Sequence, residues 1–292
     1  MKKIILEGCG TALLTPFKGG EVDYECYAAL VDRQVEAGID FLVPLGTTGE
    51  TPCLTDEERL RLLSITKERS AGCPIVVGGG TNSLMGTVKS MKLLDSYGPD
   101  AYLIVAPYYN KPTQEGLYEY FKAVAESTDK GIVLYNVPGR TGVNISAETT
   151  LRLSEIDNIV AVKEASSNYS QISEIIRCKS EDFSVLSGND NETLSLMATG
   201  AQGIISVASN VVPDLMVALT RAMKSGDLAS ARSLHHRLSP LFRNLFVESN
   251  PIPAKAAMAC LGLMENSLRL PLVPASKHTE ELISNTLKEL LG

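Results

Sequence analysis

The chain has 292 residues, 44% of them hydrophobic and 21% charged, the balance of a folded domain with a large core. Its 27 Lys and Arg against 34 Asp and Glu leave a net charge of -7, and no basic cluster marks a nucleic-acid face. No stretch approaches the roughly 18 apolar residues of a membrane span, and Ile4-Ile5-Leu6 is too short a run for a secretion signal, so a cytoplasmic protein is expected, with neither membrane nor nucleic acid as a partner.

Taken in order, short apolar runs rich in β-forming residues alternate with amphipathic segments. Strands are expected near 9–15, 41–45, 75–79, 101–106, 132–136, 159–163, 183–187 and 203–207. Helices are expected near 23–37, 55–70, 84–97, 115–128, 147–155, 169–180 and 190–199. Polar or acidic starts such as Thr55-Asp56-Glu57-Glu58 and Asp190-Asn191-Glu192 read as helix caps or acidic first turns. Eight strands, each followed by a helix, give the pattern of a parallel (β/α)8 TIM barrel. An open dinucleotide-binding sheet would carry a glycine-rich fingerprint after its first strand. Here Gly8-Cys9-Gly10 precedes that strand, and Gly78-Gly79-Gly80 does not continue as GxGxxG.

Beyond about residue 210 the strand signals stop. Segments 213–225, 227–247, 251–263 and 277–291 look helical, broken by Asn250-Pro251-Ile252-Pro253 and Leu270-Pro271. The organisation expected is a barrel over 1–225 and a helical C-terminal extension over 226–292. The six cysteines are scattered without CxxC spacing and read as reduced thiols that pack as small buried hydrophobes. All three histidines, His235, His236 and His278, fall in the extension, leaving no Ser-His-Asp set, no Cys-His pair and no HExxH metal site.

Active sites of such barrels form where the strands end, and the strand ends here are unusual. Lys163 closes the run Ile159-Val160-Ala161-Val162, and period-two alternation puts it on one face with Ala161. A small neighbour leaves room for a group bound to the amine, and burial favours the neutral amine that attacks carbonyls. The plainer reading is a lysine that reaches solvent or pairs with Glu164. Tyr135 ends the neighbouring strand, where a phenol can move protons. Thr47 and Thr48 lie between glycines in a turn whose amides and hydroxyls can converge on a carboxylate. Arg140, in Pro138-Gly139-Arg140-Thr141-Gly142, has the fork that grips a carboxylate. Taken singly, a core tyrosine, turn chemistry and a solvated arginine explain these residues better.

Together they do more. Gly46-Thr47-Thr48-Gly49-Glu50, Tyr135-Asn136-Val137-Pro138-Gly139-Arg140-Thr141-Gly142 and Val162-Lys163-Glu164-Ala165 resemble the pyruvate-dependent class I aldolase family. So do Pro107-Tyr108-Tyr109-Asn110-Lys111-Pro112, Ser187-Gly188-Asn189-Asp190 and Asn250-Pro251-Ile252-Pro253, from about Gly8 to the C-terminus. The resemblance implies that Lys163 forms a Schiff base with pyruvate. It implies that Tyr135 shuttles protons with Thr47 and with Tyr109 from an adjacent subunit. Thr48 would bind the pyruvate carboxylate, with Gly188 and Ile205 shaping that side. Arg140 would hold the carboxylate of L-aspartate 4-semialdehyde, on the route to lysine and diaminopimelate. Neither an organic cofactor nor a catalytic metal is implied, and the assembly would be a homotetramer of two tight dimers. Sister activities on the same scaffold, N-acetylneuraminate lyase or a keto-deoxy-sugar-acid aldolase, are the nearest alternatives. A non-catalytic ligand-binding barrel is the alternative of another class.

Overall fold

The computed structural model describes residues 4–292. Eight parallel strands form one sheet: β1 Gly8–Ala12, β2 Phe41–Val43, β3 Val76–Gly78, β4 Ala101–Val105, β5 Gly131–Asn136, β6 Ile159–Glu164, β7 Ser184–Ser187 and β8 Gly203–Ser206. Their order is β2-β1-β8-β7-β6-β5-β4-β3. A parallel bridge between Leu42 and Ile75 joins the two ends, with Leu42 N donating to Pro74 O at 2.9 Å and Gly78 N to Pro44 O at 3.0 Å. The sheet is thereby a closed barrel, the (β/α)8 architecture that the strand–helix alternation predicts. Alternate residues point inward and fill the interior, among them Phe41, Val43, Leu103, Val133, Ala161 and Ile205.

The outer ring holds α1 Tyr24–Glu36, α2 Asp56–Arg69, α3 Leu84–Leu94, α4 Gln114–Glu126, α5 Ala147–Ser154, α6 Tyr169–Cys178, α7 Thr193–Ala198 and α8 Pro213–Lys224. The first six each start on a side-chain cap (Asp23, Thr55, Ser83, Thr113, Ser146 and Asn168) that accepts a backbone N–H otherwise without a partner. Thr55 and Glu58 make a reciprocal capping box. Three further helices follow, α9 Leu228–Asn244, α10 Ile252–Cys260 and α11 Lys277–Leu291. Among the described residues no helix is long and apolar enough to cross a membrane.

Four expectations are corrected. Strand one spans Gly8–Ala12 rather than 9–15, and it contains the glycine run instead of following it. A small antiparallel ribbon, Phe17–Lys18 with Glu21–Val22, comes next; its strands are too short to leave a periodic signal. Asp190 caps no helix: it lies buried in a short 3-10 turn and accepts from the Ser206 hydroxyl and from Val207 N and Ala208 N, at 3.2 and 3.1 Å. Of the cysteines only Cys9 is buried, whereas Cys178 and Cys260 are exposed at helix ends.

Gly10 shows how tightly β1 and β2 approach. A Cβ there would lie 2.0 Å from the Phe41 ring, which is itself 1% exposed. Gly10→Val should therefore overpack the barrel floor, costing about 1–3 kcal/mol or more and lowering the thermal midpoint. Differential scanning calorimetry checks this; an unchanged midpoint would show that Phe41 can move aside.

Candidate active site

The alternation of β6 decides the chemistry of its last two residues. Lys163 points into the barrel mouth on the face of Ala161 and is 5% exposed. Glu164 points the other way, between sheet and helices, where it accepts from Asn136 Nδ2 at 2.7 Å, from Gln171 Nε2 at 3.3 Å and from the Ser166 hydroxyl. Burial raises its carboxyl pKa, with these donors working against the shift. Glu164 is thus not the partner of Lys163. That place belongs to Tyr135, which pairs with Lys163 across the β5–β6 ladder and offers its ring 4.4 Å from Nζ. Asp190 is the acid that feels the lysine's charge: burial raises its pKa, while its hydrogen bonds and Lys163 pull it back.

Loops from several strand ends complete the mouth. After β2 the chain makes a 3-10 turn, Thr47–Gly49, which leaves Thr47 exposed at the opening and buries Thr48. After β5, Pro138–Thr141 forms one helical turn carrying Arg140 to the rim. After β7, Gly188 N donates to Glu164 O at 2.6 Å; a Cβ at Gly188 would lie 2.7 Å from that of Ala165, so only glycine permits this approach. Lys163, Tyr135, Thr47, Thr48, Arg140 and Gly188 all line one cavity.

Two of the expected residues lie elsewhere. Ile205 is fully buried in the barrel interior, and Val207, two residues further along, stands in the cavity wall. Tyr109 is 88% exposed on a left-handed backbone (φ 75°) and does not line the cavity of its own chain. Alternation along β8 turns Ile205 inward without fixing its depth, and Tyr109 lies on no strand.

Two wall residues escape the strand-end rule, because both come from the C-terminal extension. Asn250 Nδ2 donates to Thr48 Oγ1 at 2.9 Å, and Asn250 O accepts from Arg140 NH2 at 3.1 Å. Phe246 adds an aromatic edge. The available signal was the Asn250-Pro251-Ile252-Pro253 break, which marks a chain turn but not what it turns toward. Among the described residues, no group of three His, Cys, Asp or Glu side chains is placed to hold a metal ion.

A buried amine beside a phenol, at the C-terminal mouth of a closed parallel barrel, defines a lyase of the class I aldolase type. Comparison with known proteins gives the particular family. Residues 5–290 match the model of the Dihydrodipicolinate synthetase family, and the chain belongs to that family. It is 50% identical over 290 residues to the 4-hydroxy-tetrahydrodipicolinate synthase of Thermotoga maritima, covering 98% of this chain and 99% of the relative. The crystal structure of dihydrodipicolinate synthase from Thermotoga maritima superposes with a TM-score of 0.96 at 49% identity, over 98% of this chain and 99% of that one. A monomeric dihydrodipicolinate synthase variant gives the same TM-score, 0.96, also at 49% identity, over 98% of this chain and 97% of that one.

Proposed function

We propose that the chain condenses pyruvate with L-aspartate 4-semialdehyde, through an imine on Lys163, to give 4-hydroxy-tetrahydrodipicolinate on the route to lysine and diaminopimelate. The observation that carries this reading is Lys163 seated against Tyr135, inside a mouth that Thr48 and Arg140 rim. The Lys163 amine adds to the keto carbon of pyruvate and water leaves. The resulting iminium draws electrons, so the methyl group loses a proton and becomes an enamine nucleophile. The enamine carbon bonds to the aldehyde carbon of the second substrate. That substrate's amine then attacks the imine carbon, closing a ring and freeing Lys163.

Each proton movement needs a relay beside the imine, a role that falls to Tyr135 with Thr47. Thr48, fixed by Asn250, holds the pyruvate carboxylate. Gly188 shapes the same side by having no side chain, and Ile205 acts through packing from the interior layer. Arg140 takes the carboxylate of the semialdehyde. A guanidinium at the rim favours this acidic second substrate over the polyhydroxylated ones of the sister lyases. An amine so enclosed favours catalysis over mere ligand binding. The reaction as written uses no organic cofactor and no metal, and its place is the cytoplasm.

Tyr109 joins the relay from a second copy of the chain. Asn110 Nδ2 donates to Asn82 O at 2.8 Å, joining the Tyr109 loop to the start of α3; Tyr108 is 39%, Leu84 40% and Met85 85% exposed, apolar side chains that suit burial against another subunit. The assembly is accordingly a dimer whose mouths are completed across the interface, paired again into a tetramer.

Borohydride with pyruvate should fix a covalent adduct on the parent protein. Lys163→Ala and Lys163→Arg should both fold and both give none, because arginine stays protonated. Mass spectrometry reads this, and an adduct in either variant would move the chemistry to another lysine. Arg140→Ala should trap pyruvate normally yet lose about tenfold or more in kcat/KM for the semialdehyde, the loss of one charged hydrogen bond. Steady-state kinetics with each substrate varied decide it, and equal losses in both steps would make Arg140 a support of its turn. Mixing inactive Tyr109→Phe chains with inactive Lys163→Ala chains should restore activity through hybrid dimers. No recovery after verified subunit exchange would leave Tyr109 outside the relay.

A further inference from the structure

The buried charges away from the mouth converge on one place. Glu50 follows the Thr47–Gly49 turn in a left-handed conformation (φ 52°) and turns its carboxylate inward. Oε1 lies 2.5 Å from Lys255 Nζ, and neither side chain has any exposure. Oε2 accepts from Arg269 N at 3.2 Å. Lys255, on α10, also donates to Ser267 O at 2.8 Å and lies over the Phe17 ring, 4.0 Å from its centroid. Arg269 covers the same ring at 4.6 Å and grips Glu58 with two hydrogen bonds of 2.6 and 2.7 Å. Burial pushes the Lys255 amine down to about 8, while Glu50 pulls it up, so its charge at this position depends on that carboxylate.

A buried ion pair adds little stability over an apolar pair of the same shape, because desolvation offsets its attraction. Its geometry is specific, however, and here it joins two segments that meet again at the mouth. Glu50 follows Thr48 on the β2 loop, and Lys255 follows Asn250 at the start of α10; Thr48 and Asn250 are hydrogen-bonded at 2.9 Å. Asn250 O in turn accepts from Arg140. We infer that the Glu50–Lys255 ion pair is a positioning device, fixing the β2 turn against α10 so that Thr48, Asn250 and Arg140 face the substrate carboxylates. The inference rests on the reading of Thr48 and Arg140 given above. Neither Glu50 nor Lys255 lines the cavity, so both act through other residues.

The test uses the full-length enzyme in its native assembly and the variants Glu50→Gln, Lys255→Met and the double. Each single change leaves a buried group without its countercharge and should lower the melting temperature. The double variant should recover it. In that stable double variant the KM for pyruvate should rise about tenfold, with kcat within about threefold and the Lys163 adduct still trapped at saturating pyruvate. A recovered melting temperature with parental KM would overturn the inference. If the double variant stays destabilised, Glu50→Asp decides, since it keeps the charge but withdraws the carboxylate: raised KM supports positioning and parental KM sinks it. A crystal structure of the chosen variant reads the Asn250–Thr48 hydrogen bond without any substrate, and an unmoved bond overturns the inference. Failure of the parent enzyme to form an adduct would strike the assignment of Lys163 instead, leaving the structural readout to judge the pair.

Discussion

The site depends on the register between β5 and β6, which sets Tyr135 directly beside Lys163. In a parallel barrel each inward position is flanked by positions on the neighbouring strands, and successive residues on one strand face opposite ways. Shifting β6 by one residue would send Glu164 into the mouth and Lys163 into the helix layer. The hydrogen bonds that Glu164 accepts from Asn136, Gln171 and Ser166 oppose that slip, because each would be lost from a buried carboxyl. Asn136, the pairing partner of Glu164, holds the loop after β5 as well, accepting from Ile145 N at 3.0 Å. The outward residues of these two strand ends thus set the register on which the inward pair relies.

A closed barrel alone would leave the mouth open to solvent. The extension supplies part of its wall, through the polar contacts of Asn250 and the ring of Phe246. Asn250 spends its side chain on Thr48 and its carbonyl on Arg140. Both contacts are short and directional, so the loops after β2 and β5 share one reference point on the extension. Pre-organisation of this kind spares each substrate the ordering of loose side chains on binding. The boundary expected near residue 225 therefore separates the barrel from its helical extension but cuts across the wall of one cavity.

How much of this was legible from residues alone follows from the range of each interaction. Periodicity and capping are local, and they located all eight strands and the barrel helices: Thr55 with Glu58 is a capping box in sequence and in space. Lys163 and Tyr135 were legible because strand ends are where such barrels place chemistry. Asn250 was not, since its partners Thr48 and Arg140 lie 202 and 110 residues away. Asp190 read as a helix cap or part of an acidic first turn; it lies in such a turn, yet its side chain serves the amides after β8 instead of capping. Glu50 and Lys255 carried a fainter signal. A lone lysine among Ile252-Pro253-Ala254 and Ala256-Ala257-Met258 must either reach solvent or find a countercharge, but the sequence does not say which acid answers.

A chain of net charge -7 that receives two carboxylate substrates must do so against its own net field. The resolution lies in distance and burial. Most of its acids are surface side chains screened over about 10 Å by salt, whereas Lys163 and Arg140 line one cavity. Two buried carboxyl groups, Glu164 on β6 and Asp190 after β7, are held by donors of their own. Glu164 faces away and is occupied by neutral donors, and Asp190 is occupied by a hydroxyl and two amides. Burial raises the pKa of both, with their hydrogen-bond donors working against the shift. The cavity wall holds an amine and a guanidinium, and neither of these carboxyl groups lines it.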